Sequence, residues 1–160
     1  MAHDVEVPLP LQAPAPGEPY GRTLLADSPE AETLAMTWRP DATCAPHDHG
    51  AARGTIHLVS GAIRERVYRS TGHGLEIVAT AIHRAPAVLT VPAGCIHDMT
   101  ALGEALTIHH YAPRVHAMRI WDVAGRRTLT VGDDCGAWVP RDGAGVVASV
   151  GWDEPGGQHA

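Results

Sequence analysis

Two stretches of the chain carry residues spaced for metal chemistry. The first is Pro46-His47-Asp48-His49-Gly50. Histidines two residues apart on an extended strand face the same side, about 7 Å along the chain, so both imidazoles can reach one ion. The second is Val91-Pro92-Ala93-Gly94-Cys95-Ile96-His97, in which Pro92 and Gly94 predict a turn that delivers His97 across a barrel to the first pair. The candidate ligands are three neutral imidazoles, those of His47, His49 and His97. Three neutral ligands leave the charge of a dication uncompensated and leave positions open for an anionic substrate and for O₂. That suits Fe(II), with tetrahedral zinc holding a water as the chemical alternative. A His-x-His pair alone is as often a surface or core accident.

A third stretch, Ala105-Leu106-Thr107-Ile108-His109-His110-Tyr111-Ala112-Pro113, reads as a strand. Alternation puts Thr107, His109 and Tyr111 on one face and His110 on the other. A phenol held by an imidazole can donate a hydrogen bond or a proton to a reacting group. The bland reading is a buried aromatic with a satisfied hydroxyl. In Tyr20-Gly21-Arg22-Thr23, the Arg22 guanidinium offers a two-pronged match to a carboxylate, against the commoner fate of a solvated arginine near a turn. Cys95 could bind the metal by its place near His97, but an inert buried thiol is the stronger expectation. Cys44 and Cys135 read as packing or surface residues. His57 and His83 read as structural, and His3, His73, His116 and His159 as exposed or loop residues.

The elements that must position these groups are short strands punctuated by turns. Strands are predicted at Leu34–Trp38, Thr55–Val59, Ile63–Tyr68, Leu75–Ile82, Val88–Val91, Ala105–Tyr111, Met118–Val123 and Arg127–Val131. Ser60-Gly61 and Ala124-Gly125 predict hairpins. The one hint of helix lies around Pro29 to Thr33. Many short strands at regular spacing predict an all-β sandwich or barrel. Residues 1–19 form a Pro-rich N-terminal arm, 20–133 the main domain, and 134–160 a C-terminal extension whose last stretch, Asp142 to Ala160, is Gly-rich and loose, although Trp138 and Trp152 could pin part of it down.

Composition bounds the rest. The chain has 160 residues, 44% of them hydrophobic, which suits one domain with one core. A formal net charge of -6 gives no support for nucleic acid or a membrane surface as a partner. No apolar run is long enough to span a bilayer, and the N-terminus lacks a signal-peptide layout. Three widely spaced cysteines do not make a disulfide framework, so a reducing, cytoplasmic setting is expected. There is no lysine, which removes Schiff-base and P-loop chemistry, and no Gly-x-Ser-x-Gly. The 11 histidines are many for this length.

The paired histidines and the downstream Pro-x-Gly-x-x-His together resemble the two motifs of the cupins, which implies a jelly-roll β-barrel. Many cupins add a glutamate ligand four or five residues after the second histidine, where this chain has Arg53 and Gly54, and Glu65 lies too far along to take its place, so the resemblance implies three histidine ligands and no carboxylate. The Thr-Ile-His-His-Tyr-Ala-Pro strand narrows the resemblance to the cysteine dioxygenase family, over about Tyr20 to Asp133. The resemblance implies Fe(II) on His47, His49 and His97, with L-cysteine bound by thiolate and amine. It further implies a hydrogen-bonded chain Thr107–His109–Tyr111 ending beside the iron. The Tyr20–Arg22 segment would bind the substrate, with Arg22 gripping its carboxylate. Relatives acting on 3-mercaptopropionate tend to have Gln at the position of Arg22, so Arg22 favours cysteine, with 3-mercaptopropionate or another small thiol as the alternative. Gly54 falls where animal relatives carry a cysteine bonded to the tyrosine, so Tyr111 should be an unmodified phenol. The partners implied are a small thiol and O₂, on a monomer. A cupin that binds a metal or ligand without turnover is the alternative from another class.

Overall fold

The structure, a computed structural model, describes residues 10–153. The first nine residues of the arm, His3, His159 and the run Glu154-Pro155-Gly156-Gly157 lie outside the described residues. Eleven strands and one short 3-10 turn at Arg141–Gly143 make up the secondary structure among the described residues. Strands β1 (Tyr20–Asp27), β2 (Glu32–Trp38), β3 (Arg53–Ser60), β6 (Ala87–Val91) and β8 (Ala105–Ala112) form one sheet in the order β1-β2-β8-β3-β6. Facing it is the sheet β5-β4-β7, built from β4 (Ala62–Ser70), β5 (Leu75–Arg84) and β7 (Ile96–Ala101). A third sheet, β11-β10-β9, contains β9 (Arg119–Asp122), β10 (Arg127–Val131) and β11 (Val146–Gly151).

The first sheet is patterned so that every second residue points into the core. Its antiparallel register lines up three inward rows: Glu32–Tyr111–Gly54, Leu34–His109–Ile56 and Met36–Thr107–Leu58. Leu34, Ile56, Leu58 and Thr107 are among the most buried side chains. Polar groups of the site thus sit in a floor that is otherwise aliphatic.

Three expectations need correction. Ser60-Gly61 is not a hairpin, because β3 pairs with β6 and β8 while β4 pairs with β5 and β7. Gly61 instead turns the chain from one sheet to the other, at φ +83, where a Cβ would lie 2.2 Å from the Glu104 carbonyl oxygen. A side chain there would be both strained and blocked. The hint of helix at Pro29 to Thr33 is a turn. The Ser28 and Ala31 backbones bond at 2.9 Å, the Ser28 hydroxyl accepts the Ala31 N–H, and Glu32 already belongs to β2. The tail from Asp142 is not loose throughout, because β11 pairs along β10. The Ala124-Gly125 turn does join a hairpin, β9 to β10. Strands β1, β7 and β11 were not predicted.

Trp152 closes the third sheet. Its indole N–H donates to the Thr128 hydroxyl at 3.0 Å, and its ring packs with Ile96 and Trp121 in a small second core. Trp152→Ala should therefore destabilise the fold by about 3 kcal/mol, as for other buried Trp truncations. A urea midpoint equal to wild type would show that this segment does not hold the barrel.

Candidate metal centre

His47 and His49 lie in the loop before β3, outside any regular strand, and His97 is the second residue of β7. The backbones of His47 and His97 exchange two hydrogen bonds, each 3.0 Å long. This isolated antiparallel bridge joins the two motifs directly. The turn before His97 is closed by the Cys95 N–H on the Pro92 carbonyl at 3.2 Å. Asp48, fully buried, anchors the loop from behind: its Oδ2 accepts Arg119 Nε at 2.9 Å and Nη2 at 2.6 Å, and its Oδ1 accepts the Arg119 N–H at 3.1 Å. With Asp48 held outward by this two-pronged pair, its neighbours His47 and His49 turn inward together.

Two of the three rings, His47 and His97, are oriented as ligands by an acceptor on Nδ1, whereas His49 Nδ1 is buried without a partner. The Ala45 carbonyl can only accept, so the 2.8 Å contact to His47 Nδ1 puts the proton there and frees Nε2. Glu65 Oε1 does the same for His97, 2.9 Å from Nδ1. Nε2 of His97 is then buried with no hydrogen-bond partner. Nε2 of His47 and Nε2 of His49 face each other at 3.2 Å. Two nitrogens held about 2.0–2.1 Å from one ion are about 3.0–3.4 Å apart, so the pair has the spacing a metal requires. Ligand nitrogens from all three rings lie within 4.8 Å of one another. The donor set therefore fits a metal ion.

Burial, with a smaller push from His97, drives the pKa of His47 down to about 3. Burial and then the other two ligand histidines hold His49 well below its usual range. Neutral rings offer lone pairs without a competing proton.

Glu65 was set aside in the sequence as too distant to be a ligand, and it is not one. It acts through His97 and also bonds His83 Nε2 at 3.1 Å, so His83 belongs to the chain of contacts behind the site. Burial alone would raise the Glu65 carboxyl, but the His97 and His83 hydrogen bonds outweigh it and hold the group below its ordinary value. Cys95 is half-buried and outside the ligand cluster. Cys44, fully buried, accepts the Met99 N–H through its sulfur at 3.2 Å. The exposed His116 pairs with Asp133 at 3.0 Å.

A hydrogen-bonded chain runs along β8. Thr107 Oγ1 lies 2.8 Å from His109 Nε2, His109 Nδ1 lies 2.9 Å from the Tyr111 hydroxyl, and that hydroxyl lies 3.1 Å from His49 Nε2. The chain begins one residue earlier than the sequence indicated. Trp38 of β2 donates its indole N–H to Thr107 Oγ1 at 2.8 Å. An indole N–H can only donate, and among the described residues the Thr107 proton has one acceptor, His109 Nε2. The polarity follows: His109 carries its proton on Nδ1 and donates to the Tyr111 oxygen, leaving the phenol proton aimed at the histidine cluster. Burial, with a smaller push from His97, drives the pKa of His109 down to about 3, so the ring stays neutral. Burial also holds the Tyr111 phenol well above its ordinary value, keeping it protonated. Gly54 faces this ring: a Cβ there would lie 2.8 Å from Tyr111 Cε1. Nothing larger than glycine fits without displacing the phenol.

The Tyr20–Arg22 segment is β1 at the sheet edge. Tyr20 is buried against Trp38 and Trp138, and its hydroxyl accepts the Ala137 N–H at 2.8 Å. It helps hold residues 135–137 over the cavity beside the histidines. Arg22 is half-buried, and its Nη2 donates to the Asp133 carbonyl at 3.3 Å. It does not line that cavity, although its charge opposes the upward push on both Tyr20 and Tyr111.

Two expected outcomes follow from this geometry. Glu65→Gln should weaken metal affinity about 10–100-fold, read by competition with a chelator. Unchanged affinity would show that Glu65 does not act through His97. The second concerns pH. His47 and His109 are suppressed from 6.5 to about 3 in the folded chain, so below pH 6.5 the unfolded chain binds more protons. Stability of the metal-free protein should fall as pH drops from about 6.5 towards 3. Urea midpoints at pH 7.5 and 5.5 check the sign, and an equal or higher midpoint at 5.5 would contradict it.

No family model matches the chain. Solved structures do. A double-stranded β-helix protein from Klebsiella pneumoniae superposes with a TM-score of 0.58 at 15% identity, over 75% of this chain and 96% of that one. An RmlC-like cupin from Shewanella frigidimarina gives 0.55 at 15% identity, over 70% and 92%. An oxalate oxidase in complex with glycolate gives 0.53 at 18% identity, over 70% and 61%. The chain thus has the single-domain, all-β, double-stranded β-helix fold of these cupin structures, and its barrel holds a buried three-histidine cluster suited to a metal ion.

Proposed function

We propose that this cupin is an iron-dependent thiol dioxygenase that converts L-cysteine to cysteine sulfinic acid. The observation that carries the proposal is the Tyr111 hydroxyl, oriented by Trp38, Thr107 and His109 and 3.1 Å from His49 Nε2. A metal-storage site has no need of a neutral phenol whose proton is aimed at the ligand cluster. The same strand carries the resemblance to cysteine dioxygenases.

When bound to His47, His49 and His97, Fe(II) supplies a Lewis acid for the thiolate and a position for O₂. The overall conversion needs no further reductant: the thiol sulfur gives up four electrons, O₂ accepts them, and both oxygen atoms end on sulfur. Tyr111 donates a hydrogen bond at the reacting end of the cavity, and His109 holds its oxygen in place. Arg22, outside the cavity wall, takes the substrate carboxylate by exchanging its present contact with the Asp133 carbonyl for a charge-assisted one. The aliphatic floor and the 135–137 strap exclude water and strengthen each of these contacts. The space beside the histidines, about 40 Å³ open to the centre of a water molecule, has room for about three waters and so suits a small thiol.

Iron-loaded protein supplied with cysteine and ¹⁸O₂ should give sulfinate carrying two labelled oxygens, read by mass spectrometry. Unlabelled product, or none from either cysteine or 3-mercaptopropionate, would overturn the proposal in favour of a binding cupin without turnover.

A further inference from the structure

Behind the metal cluster, the β5-β4-β7 sheet carries three polar side chains in one diagonal row. Alternation puts Ile63, Glu65 and Val67 of β4 on one face. Val67 pairs with His97 of β7, and Ile63 pairs with His83 of β5. Glu65 thus stands between two histidines on neighbouring strands, each two positions along, in opposite directions. Such diagonal neighbours lie about 7–8 Å apart, within reach of a long side chain. Glu65 Oε1 accepts from His97 Nδ1 at 2.9 Å, and Oε2 accepts from His83 Nε2 at 3.1 Å. The side chains of His97, Glu65 and His83 are 1%, 14% and 26% exposed, so the row runs from the core to the surface.

No cation holds this carboxylate. Arg64 and Arg66, its neighbours in β4, point to the other face and bond Thr100 and Asp98 there. Among the described residues, the donors to Glu65 are the two imidazoles alone. A carboxylate this enclosed is costly to keep on a single hydrogen bond, because its second oxygen gives up water without a replacement. His83 supplies that replacement, and among the described residues its ring makes no other hydrogen bond. His97 needs the carboxylate in place, because its Nε2 is free for a metal only while Nδ1 keeps the proton.

We propose that His83 is a positioning residue for the metal centre: by locking the Glu65 carboxylate against His97, it sets how tightly the metal is held. The inference needs only the three-histidine cluster, so it stands apart from the thiol dioxygenase reading. His83 acts at two removes from the ion, through a carboxylate and then a ligand ring. A ring backed by an oriented carboxylate is a stronger donor to a metal than one without. Loss of one hydrogen bond from such a row changes affinity several-fold and leaves the cluster assembled.

The test is the zinc affinity of the metal-free protein, read by competition with a chelator. Zinc accepts three imidazoles and has no redox chemistry of its own. His83→Leu should weaken affinity about 3–10-fold. His83→Gln, whose amide N–H can still donate to Oε2, should stay within about twofold of wild type. Glu65→Leu removes the carboxylate, and in that background His83→Leu should bring no further loss, because its effect passes through Glu65. Unchanged affinity in His83→Leu, equal losses in the two His83 variants, or the same loss with and without Glu65 would each overturn the assignment. If Glu65→Leu does not fold, the contrast between His83→Leu and His83→Gln decides alone. Sulfinate formation from cysteine tests the reaction separately. Affinity indifferent to His83 would sink this assignment and leave the dioxygenase standing, and absence of sulfinate would do the reverse.

Discussion

Three uncharged imidazoles must meet at one point inside an apolar barrel, and they come from two motifs about fifty residues apart in the chain. The backbone bridge between His47 and His97 meets that demand. It welds the loop before β3 to the start of β7, so that the ligands share one rigid frame. Other contacts tune the rings within that frame. Ala45 and Glu65 accept from the Nδ1 atoms of His47 and His97, and Arg119 draws Asp48 the opposite way. Burial then keeps His47 and His49 unprotonated. Without the bridge, these contacts would prepare rings that never converge.

The floor of the site obeys a second constraint, the strict alternation of the sheet. Trp38, Thr107, His109 and Tyr111 share the inward face with Leu34, Met36 and Ile56. A polar chain in such surroundings is costly unless its members satisfy one another. Trp38 supplies a donor that cannot reverse, and the direction of every later hydrogen bond follows from it. Gly54 leaves the space into which the Tyr111 ring settles. Position and proton direction of the phenol thus come from residues on three adjacent strands.

Much of the fold and the metal cluster was legible in the chain because both rest on short-range pattern. His-Asp-His, the Pro-x-Gly-x-x-His turn and the alternation of Thr107, His109 and Tyr111 need only the period of a strand to be read. Strand runs such as Leu34 to Trp38 follow from the same period. Partners brought together by topology leave no such trace. Glu65 stands 32 residues from His97, and nothing in its neighbourhood in the sequence marks it as the acceptor for that ring. Trp38 reaches Thr107 across a pair of strands separated by 69 residues, and Glu32 faces the cavity through the same pairing. The Ser60-Gly61 corner looked like a hairpin because turn residues report that the chain bends, not which sheet the next strand joins. The Gly-rich tail looked loose because β11 has little pattern of its own and gains its hydrogen bonds only from β10. Sequence alone therefore determined which side chains a strand presents together, since that depends on neighbours in the chain. Tertiary structure decided which groups donate, accept and compensate one another, since hydrogen bonds and buried charge depend on neighbours in space.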